Sequence, residues 1–273
     1  MKLISLSCFI AASFAAGTAF AQAPPKDPVQ TVLPNVLSTA DGGTLDMRAD
    51  YTNIDTNGLG DEPTIFGLNA HFQYVTPGGL GGYVSLPFGY LSQNNESLSG
   101  LGNLELGGLY VIRNPELDFF LRGGLAIDTA SDEGILSAPL SALLPRPTDA
   151  FSTGLASTWL RAHGGLRSTR GAVVFGAEGG VDLIVDGDGD DGDDGLLVLA
   201  GSIGIVQPGF SISGGLSFVQ LLGDSGGDDN FLAFNGVFDF VVSPKAKLFV
   251  ALGVNLEDEF DGFSIGGGVR LGL

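Results

Sequence analysis

The chain has 273 residues, 44 of them glycine, with charged residues at only 16% and a formal net charge of −19. That acidity excludes a nucleic-acid partner, which needs a basic face, and a single cysteine, Cys8, excludes a disulfide-built secreted scaffold. The mean hydropathy is +0.30, yet no uninterrupted apolar run of about 20 residues follows residue 21, so a helical membrane protein is excluded too.

In chain order, the first element is a secretory signal. Lys2 precedes an apolar stretch from Leu3 to Ala16, and "AFA" before Gln22 reads as an A-x-A cleavage site. The expected organisation is a signal peptide over 1–21, an N-terminal periplasmic segment over 22–43, and a β-barrel over 44–273. Cys8 falls in the signal, which leaves the mature chain without a thiol.

From residue 44 onward the hydrophobicity alternates. A barrel strand needs about 9–11 residues with every second side chain facing lipid. "TLDMRADY" sets Leu45, Met47, Ala49 and Tyr51 against Asp46, Arg48 and Asp50. "TIFGLNAHFQY" sets Phe66, Leu68, Ala70, Phe72 and Tyr74 against Asn69, His71 and Gln73. "YVSLPFGYL" sets Val84, Leu86, Phe88 and Tyr90 against Ser85, Pro87 and Gly89. The pattern recurs through 102–112, 118–128, 158–167, 172–185, 196–206, 210–220, 231–242, 246–256 and 263–273, about twelve segments in all. The fold class that follows is all-β, a transmembrane antiparallel barrel of about twelve strands, the even number usual for bacterial barrels. A soluble sandwich alternates as well, but does not need nearly every strand to be this long.

The connections alternate in kind. Short turns at 76–79, 113–116, 168–171, 207–209 and 243–245 are interleaved with longer, mostly acidic stretches at 53–63, 92–100, 129–157, 186–195, 221–230 and 257–262. Short periplasmic turns opposite long extracellular loops are the arrangement of an outer-membrane barrel, and an even strand count puts both termini on the periplasmic side. Connection 129–157 is apolar for an exposed loop, which suits a short helix constricting the mouth.

One long connection carries "DGDGDDGDD", with Asp186, Asp188, Asp190, Asp191, Asp193 and Asp194. The first three match the first, third and fifth ligand positions of an EF-hand. However, the sixth position is Asp191 where glycine is needed, and the twelfth is Leu197 where a bidentate glutamate is needed. The run therefore reads as a solvated hairpin tip. No cofactor is expected beyond a divalent cation held loosely by these carboxylates.

Enzymatic motifs are missing: there is no G-x-S-x-G, no H-E-x-x-H and no cysteine nucleophile. The only histidines, His71 and His163, fall on the inward parity, where they read as pore-lining hydrogen-bonding groups. Asp46, Asp50, Glu105, Glu178, Asp182 and Asp239 share that parity with Arg48, Arg122, Arg161, Arg167, Lys247 and Arg270. Six charges of each sign face a lumen otherwise expected to be lined by Ser, Gly, Asn and Ala. Two readings follow: a hydrated pore filtered by opposed charges, or ion pairs that stabilise a closed interior. Barrels of about 8 strands fill their interior and those of 16–18 leave a channel, so a narrow pore is expected.

The stretch 86–112, "LPFGYLSQNNESLSGLGNLELGGLYVI", resembles the outer-membrane family named for the meta-pathway of phenol degradation. Leu86, Pro87 and Phe88 match its Leu-Pro-aromatic strand. Gly100, Leu101, Gly102, Leu104, Leu106, Gly107 and Tyr110 match its Gly-Leu-Gly-Asp-Leu-x-Leu-Gly strand. Asn103 stands where that family has aspartate, and Leu109 where a basic residue is common. The resemblance implies a passive channel for small, often aromatic or apolar compounds, with no enzymatic activity. The expected partners are outer-membrane lipid and a small-molecule solute. The competing reading is a structural or adhesive barrel whose acidic loops bind cations and whose lumen is plugged.

Overall fold

Along one strand, residues 246–255, exposure switches at nearly every residue. Leu248, Val250, Leu252 and Val254 are 42–52% exposed, while Lys247, Phe249 and Ala251 between them are buried. A pleated strand turns successive side chains to opposite faces, so such a strand separates an apolar outside from a filled inside. The computed structural model describes residues 30–54, 63–94, 96–132, 134–154, 157–187, 195–222, 230–257 and 262–273. The expected signal peptide over 1–21 lies outside these residues.

The strands are β1 (Gly42–Ile54), β2 (Thr64–Val75), β3 (Leu80–Gln93), β4 (Glu96–Leu101), β5 (Leu104–Ile112), β6 (Asp118–Ile127), β7 (Ser157–Arg170), β8 (Val173–Gly187), β9 (Gly195–Gln207), β10 (Phe210–Leu222), β11 (Asn230–Ser243), β12 (Ala246–Asn255) and β13 (Gly262–Gly272). Between β6 and β7 lie a helix α1 (Gly134–Ala142) and a 3-10 turn, Phe151–Thr153. All pairings are antiparallel, and β1 closes on β13 from Thr44↔Gly272 to Ile54↔Gly262. β4 and β5 both pair with β3, through Phe88↔Leu101 and Leu80↔Tyr110, and form two halves of one stave. The result is a closed twelve-stave barrel, in which the full-length staves pair on both sides and the second edge of the short β4 faces the β6–β7 connection, with Leu101 O accepting from Ser131 N.

Four of the five short connections hold as turns, and the fifth, expected over 168–171, narrows to Gly171 and Ala172 because Ser168, Thr169 and Arg170 continue β7 and pair with β8. Gly79, Gly171 and Gly209 take the left-handed backbone conformation there, with φ of 88°, 60° and 95°, which glycine adopts without steric cost. One long connection differs from the sequence reading. Residues 92–100 are a hairpin, with β3 running to Gln93, β4 starting at Glu96, and Asn94 at φ 52° in the turn.

Outward aromatic side chains collect towards the two ends of the barrel. Tyr74, Tyr110, Phe119, Phe210 and Phe240 lie near the short turns, and Tyr51, Phe66, Tyr90 and Phe263 near the long connections; all are 36% exposed or more. Outward leucine, isoleucine and valine occupy the span between. This is the lipid-facing band of a transmembrane barrel with an aromatic girdle at each interface.

Candidate functional site: the lumen and its two inserted segments

Two segments outside the wall enter the ring. The first, residues 30–41, runs from the short-turn end and is here termed the strap. It has no strand partner, so its backbone groups must be satisfied elsewhere, and inward polar side chains supply the partners. Arg167 Nη2 donates to Thr31 O (2.6 Å), Ser213 Oγ to Val32 O (2.8 Å), Ser202 Oγ to Pro34 O (2.6 Å) and Gln73 Nε2 to Ser38 O (2.8 Å). In the other direction Val32 N donates to Asp239 Oδ2 (2.9 Å) and Leu37 N to Glu178 Oε2 (3.1 Å). Asn35 Nδ2 reaches both Ser217 Oγ (2.7 Å) and Asn235 Oδ1 (2.8 Å). Leu33 and Val36 pack on Val75, Tyr83, Leu109, Val111, Phe120 and Val174, and Val32 on Val237, Phe249 and Ala251. Residues 30–39 thus lie inside the barrel, with Asp41 exposed at its rim beside Arg113, although segment 22–43 reads from sequence as periplasmic. A strap carrying Val32, Leu33, Val36 and Leu37 would expose a continuous apolar stretch in the periplasm, and that composition was the available signal for its burial.

The second segment is the connection between β6 and β7, here the inner loop, described over 128–132 and 134–154. Its helix α1 packs on β3 and β4, as a constriction of the mouth requires. Gly89 and Gly102 make the room: a Cβ on Gly89 would enter the backbone of Ser137, and one on Gly102 would meet Thr153 O and Ala138. These glycines therefore seat the loop. At the break between β4 and β5, Asn103 Nδ2 donates to the carbonyls of Ser152 (3.2 Å), Gly154 (3.0 Å) and Ser157 (3.1 Å). An aspartate, which only accepts, could not do this. Leu144 and Leu143 cover an apolar patch formed by Ala126, Trp159, Leu196, Val198, Val219, Phe231, Ala233 and Ile184, all at the long-connection end of the lumen. The lumen lining is therefore not confined to small and polar residues.

Between the two inserts lies a charged belt. Arg161, 1% exposed, donates from Nε to Asp182 Oδ1 (3.1 Å), from Nη1 to Glu105 Oε2 (2.8 Å) and Asp149 Oδ1 (3.1 Å), and from Nη2 to Thr148 O (2.7 Å). Tyr83 Oη donates to Glu105 Oε1 (2.8 Å). His163 Nε2 donates to Asp182 Oδ1 (2.7 Å), and its Nδ1 lies 3.3 Å from Arg122 Nη2 and 3.2 Å from Glu178 Oε1. Arg122 Nε sits 2.7 Å from Glu178 Oε1. Both imidazole nitrogens are thus engaged by charged groups, which leaves none for activating a nucleophile. In the inner loop, burial works to raise the Asp149 carboxyl. Arg161, then Arg122 and Arg146, override burial and hold it well below the usual carboxylate range. Burial pushes the Arg146 guanidinium down, with Asp149 opposing.

The remaining inward charges form a second group. Arg270 grips Asp46 with two bonds of 2.6 Å, and Arg48 Nε lies 2.8 Å from Asp50 Oδ1. Asp239 accepts from Ser211 Oγ (2.7 Å) as well as from the strap. Lys247 is buried in register with Arg270 across β12 and β13. His71 stacks on Tyr83 with ring centroids 5.7 Å apart. All fourteen residues assigned inward by parity face the interior, where the structure gathers Glu105, Arg122, Arg161, His163, Glu178 and Asp182 into one belt. Sequence reasoning did not place Asp149, Thr148, Asn103 or Trp159 at the site. Of the acidic run, only Asp186 is described, as part of β8. Asp188, Asp190, Asp191, Asp193 and Asp194, and with them the loosely bound cation, lie outside the described residues.

The sequence matches no family model and no curated relative. Solved structures show the same fold. An outer membrane channel from Pseudomonas putida F1 has a TM-score of 0.60 at 15% identity, covering 92% of this chain and 100% of that one. The NanC porin has 0.55 at 12% identity, over 84% of this chain and 100% of its own. A KdgM porin in complex with disordered oligogalacturonate has 0.51 at 12% identity, over 83% and 99%.

Proposed function

We propose that the protein is an outer-membrane channel for passive diffusion of small solutes, with apolar or aromatic compounds among them, and that it carries no enzymatic activity. The observation that carries this reading is the apolar patch around Trp159. It lies inside the barrel, next to the long connections, and is covered by loop residues Leu143 and Leu144 instead of being filled by the wall itself. A loop that withdraws uncovers a concave apolar surface of the kind that binds small apolar ligands. The fold shared with outer-membrane channels and porins is consistent with this.

A specific observation favours a second reading: both ends of the lumen are occupied by inserts with paired polar groups, as a structural or adhesive barrel with a plugged lumen requires. Planar-bilayer recording separates the two. Discrete currents from the full-length protein, reduced by an aromatic solute on the long-connection side, are expected of the channel. Silence from both the full-length protein and a variant lacking residues 22–41 would establish the plugged barrel.

A further inference from the structure

The strap and the inner loop share no direct hydrogen bond among the described residues, yet two chains of contacts join them: a short neutral one, in which Asn235 Oδ1 accepts from Asn35 Nδ2 (2.8 Å) and Asn235 Nδ2 donates to Leu144 O (2.7 Å), and a longer charged one through the belt. Leu37 N of the strap donates to Glu178 Oε2 (3.1 Å), whose other oxygen lies 3.2 Å from His163 Nδ1 and 2.7 Å from Arg122 Nε. His163 Nε2 donates to Asp182 Oδ1 (2.7 Å), and the same oxygen accepts from Arg161 Nε (3.1 Å). Arg161 then holds the inner loop at Thr148 O (2.7 Å) and Asp149 Oδ1 (3.1 Å). Each side chain in the belt is nearly sealed from water, with side-chain exposures of 0–4% for His163, Arg161, Asp182 and Glu178. Losing a partner there leaves a desolvated charge, so the neighbour must re-pair.

We propose that Glu178, His163, Asp182 and Arg161 form a coupling relay between the two inserts, so that release of the strap loosens the inner loop and release of the loop loosens the strap. When Leu37 leaves, Glu178 loses a donor and turns towards His163 and Arg122. His163 then shares its hydrogen bond differently with Asp182, and Arg161 is drawn off Asp149 and Thr148. By linkage the coupling is reciprocal, and couplings of this kind change an equilibrium by about 5- to 150-fold. The relay gives the barrel two gates that favour the same state, one at each end of the lumen. It concerns motion of the inserts and holds whether or not the barrel conducts.

The test uses the mature chain, whose lack of cysteine makes a single introduced thiol specific. Ser152→Cys places that thiol in the buried part of the inner loop beside the Asn103 and Arg161 anchors, and maleimide labelling in detergent reads how often the loop leaves. Deleting residues 22–41 is expected to raise the labelling rate about 5-fold or more. With Asn235→Ala present in every variant to remove the neutral bridge to Leu144, adding His163→Ala is expected to cut the effect of the same deletion to less than about 2-fold, because the charged relay is then broken as well. Leu37→Pro, which removes the N–H facing Glu178 together with the leucine packing on the Leu33 cluster, is expected to repeat both results at smaller size. It decides alone if the deletion costs the heat-resistant migration of a folded barrel. Equal increases with and without His163, or no increase on losing the strap contact, would overturn the proposal. The reverse measurement, with Ser38→Cys in the strap and Asp149→Asn in the loop, must give the same coupling.

Discussion

Arg161 on β7 and Asp182 on β8 are register partners on neighbouring strands, side by side on the inner face of the barrel wall and both almost wholly buried, with Nε 3.1 Å from Oδ1. An ion pair in this position contributes little net stability over an apolar pair of the same volume, but removing one member leaves an uncompensated charge.

Arg161→Ala strands Asp182, Glu105 and Asp149 together, and is expected to destabilise the barrel by about 3–5 kcal/mol. Arg48→Ala, in a pair of Nε–Oδ1 distance 2.8 Å with a side chain 14% exposed, is expected to cost less. Urea unfolding in detergent, followed by loss of heat-resistant migration, compares the two. Equal sensitivity would show that the belt is no more tightly coupled than an ordinary luminal pair.

The inner loop carries its own pH dependence through Asp149. Its folded-state pKa is depressed, so its contribution to docking is complete above the unfolded value of about 4. That contribution is lost only as the pH falls through the lower folded value. Trp159, the chain's single tryptophan, lies under Leu144 and reports docking by its emission. The difference in docking between the unmodified protein and Asp149→Asn is expected to be constant from pH 8 to about 4 and to shrink below that. A difference that shrinks between pH 8 and 6 would assign the effect to another group.

Asn103 makes a sharper test of how the loop is seated. Its amide donates to three carbonyls at 3.0–3.2 Å. Asn103→Asp replaces those donors with oxygens that repel the same carbonyls and strands buried acceptors, at a cost of about 1–3 kcal/mol or more. A red shift of Trp159 emission at neutral pH, with heat resistance retained, is the expected result. Unchanged emission would mean that the glycine-seated helix alone holds the loop.

The barrel was legible in sequence because lipid on one side and a filled lumen on the other impose a period of two on every stave. Leu248 to Val254 against Lys247 to Ala251 is that period written out, and parity alone sent His163, Arg161 and Asp182 inward. β4 was not legible: in "ESLSGL" Leu98 and Leu101 are out of phase, and the stave breaks at Gly102 and Asn103 to receive the loop. The inserts had no local period to betray them. Asn35 meets Asn235 across 200 residues of sequence, and Leu144 meets Asn235 across 91. Such contacts exist only once the ring has closed. Charge identity was readable in the belt, but its pairing was not, because Asp149 reaches it from a loop.

The acidic connections set a field that the lumen does not. Of 31 acidic residues, 21 fall in the connections 53–63, 92–100, 128–157, 186–195, 221–230 and 257–262, against one basic residue, Arg146. Asp149 and Arg146 are folded into the lumen with partners and Asp118 binds Thr39 of the strap, so the inward charges among the described residues, eight acidic against seven basic, nearly cancel and the surplus belongs to the connections. Such a field concentrates cations over roughly 8 Å at physiological salt and is screened as salt rises. Weak cation selectivity is therefore expected at low salt, fading in molar salt. It should fall further when Asp186, Asp188, Asp190, Asp191, Asp193 and Asp194 are changed to asparagine. Reversal potentials across a salt gradient measure both effects. Anion preference in the unmodified protein would refute the field argument, while an unchanged potential in the asparagine variant would confine the selectivity to the other tips.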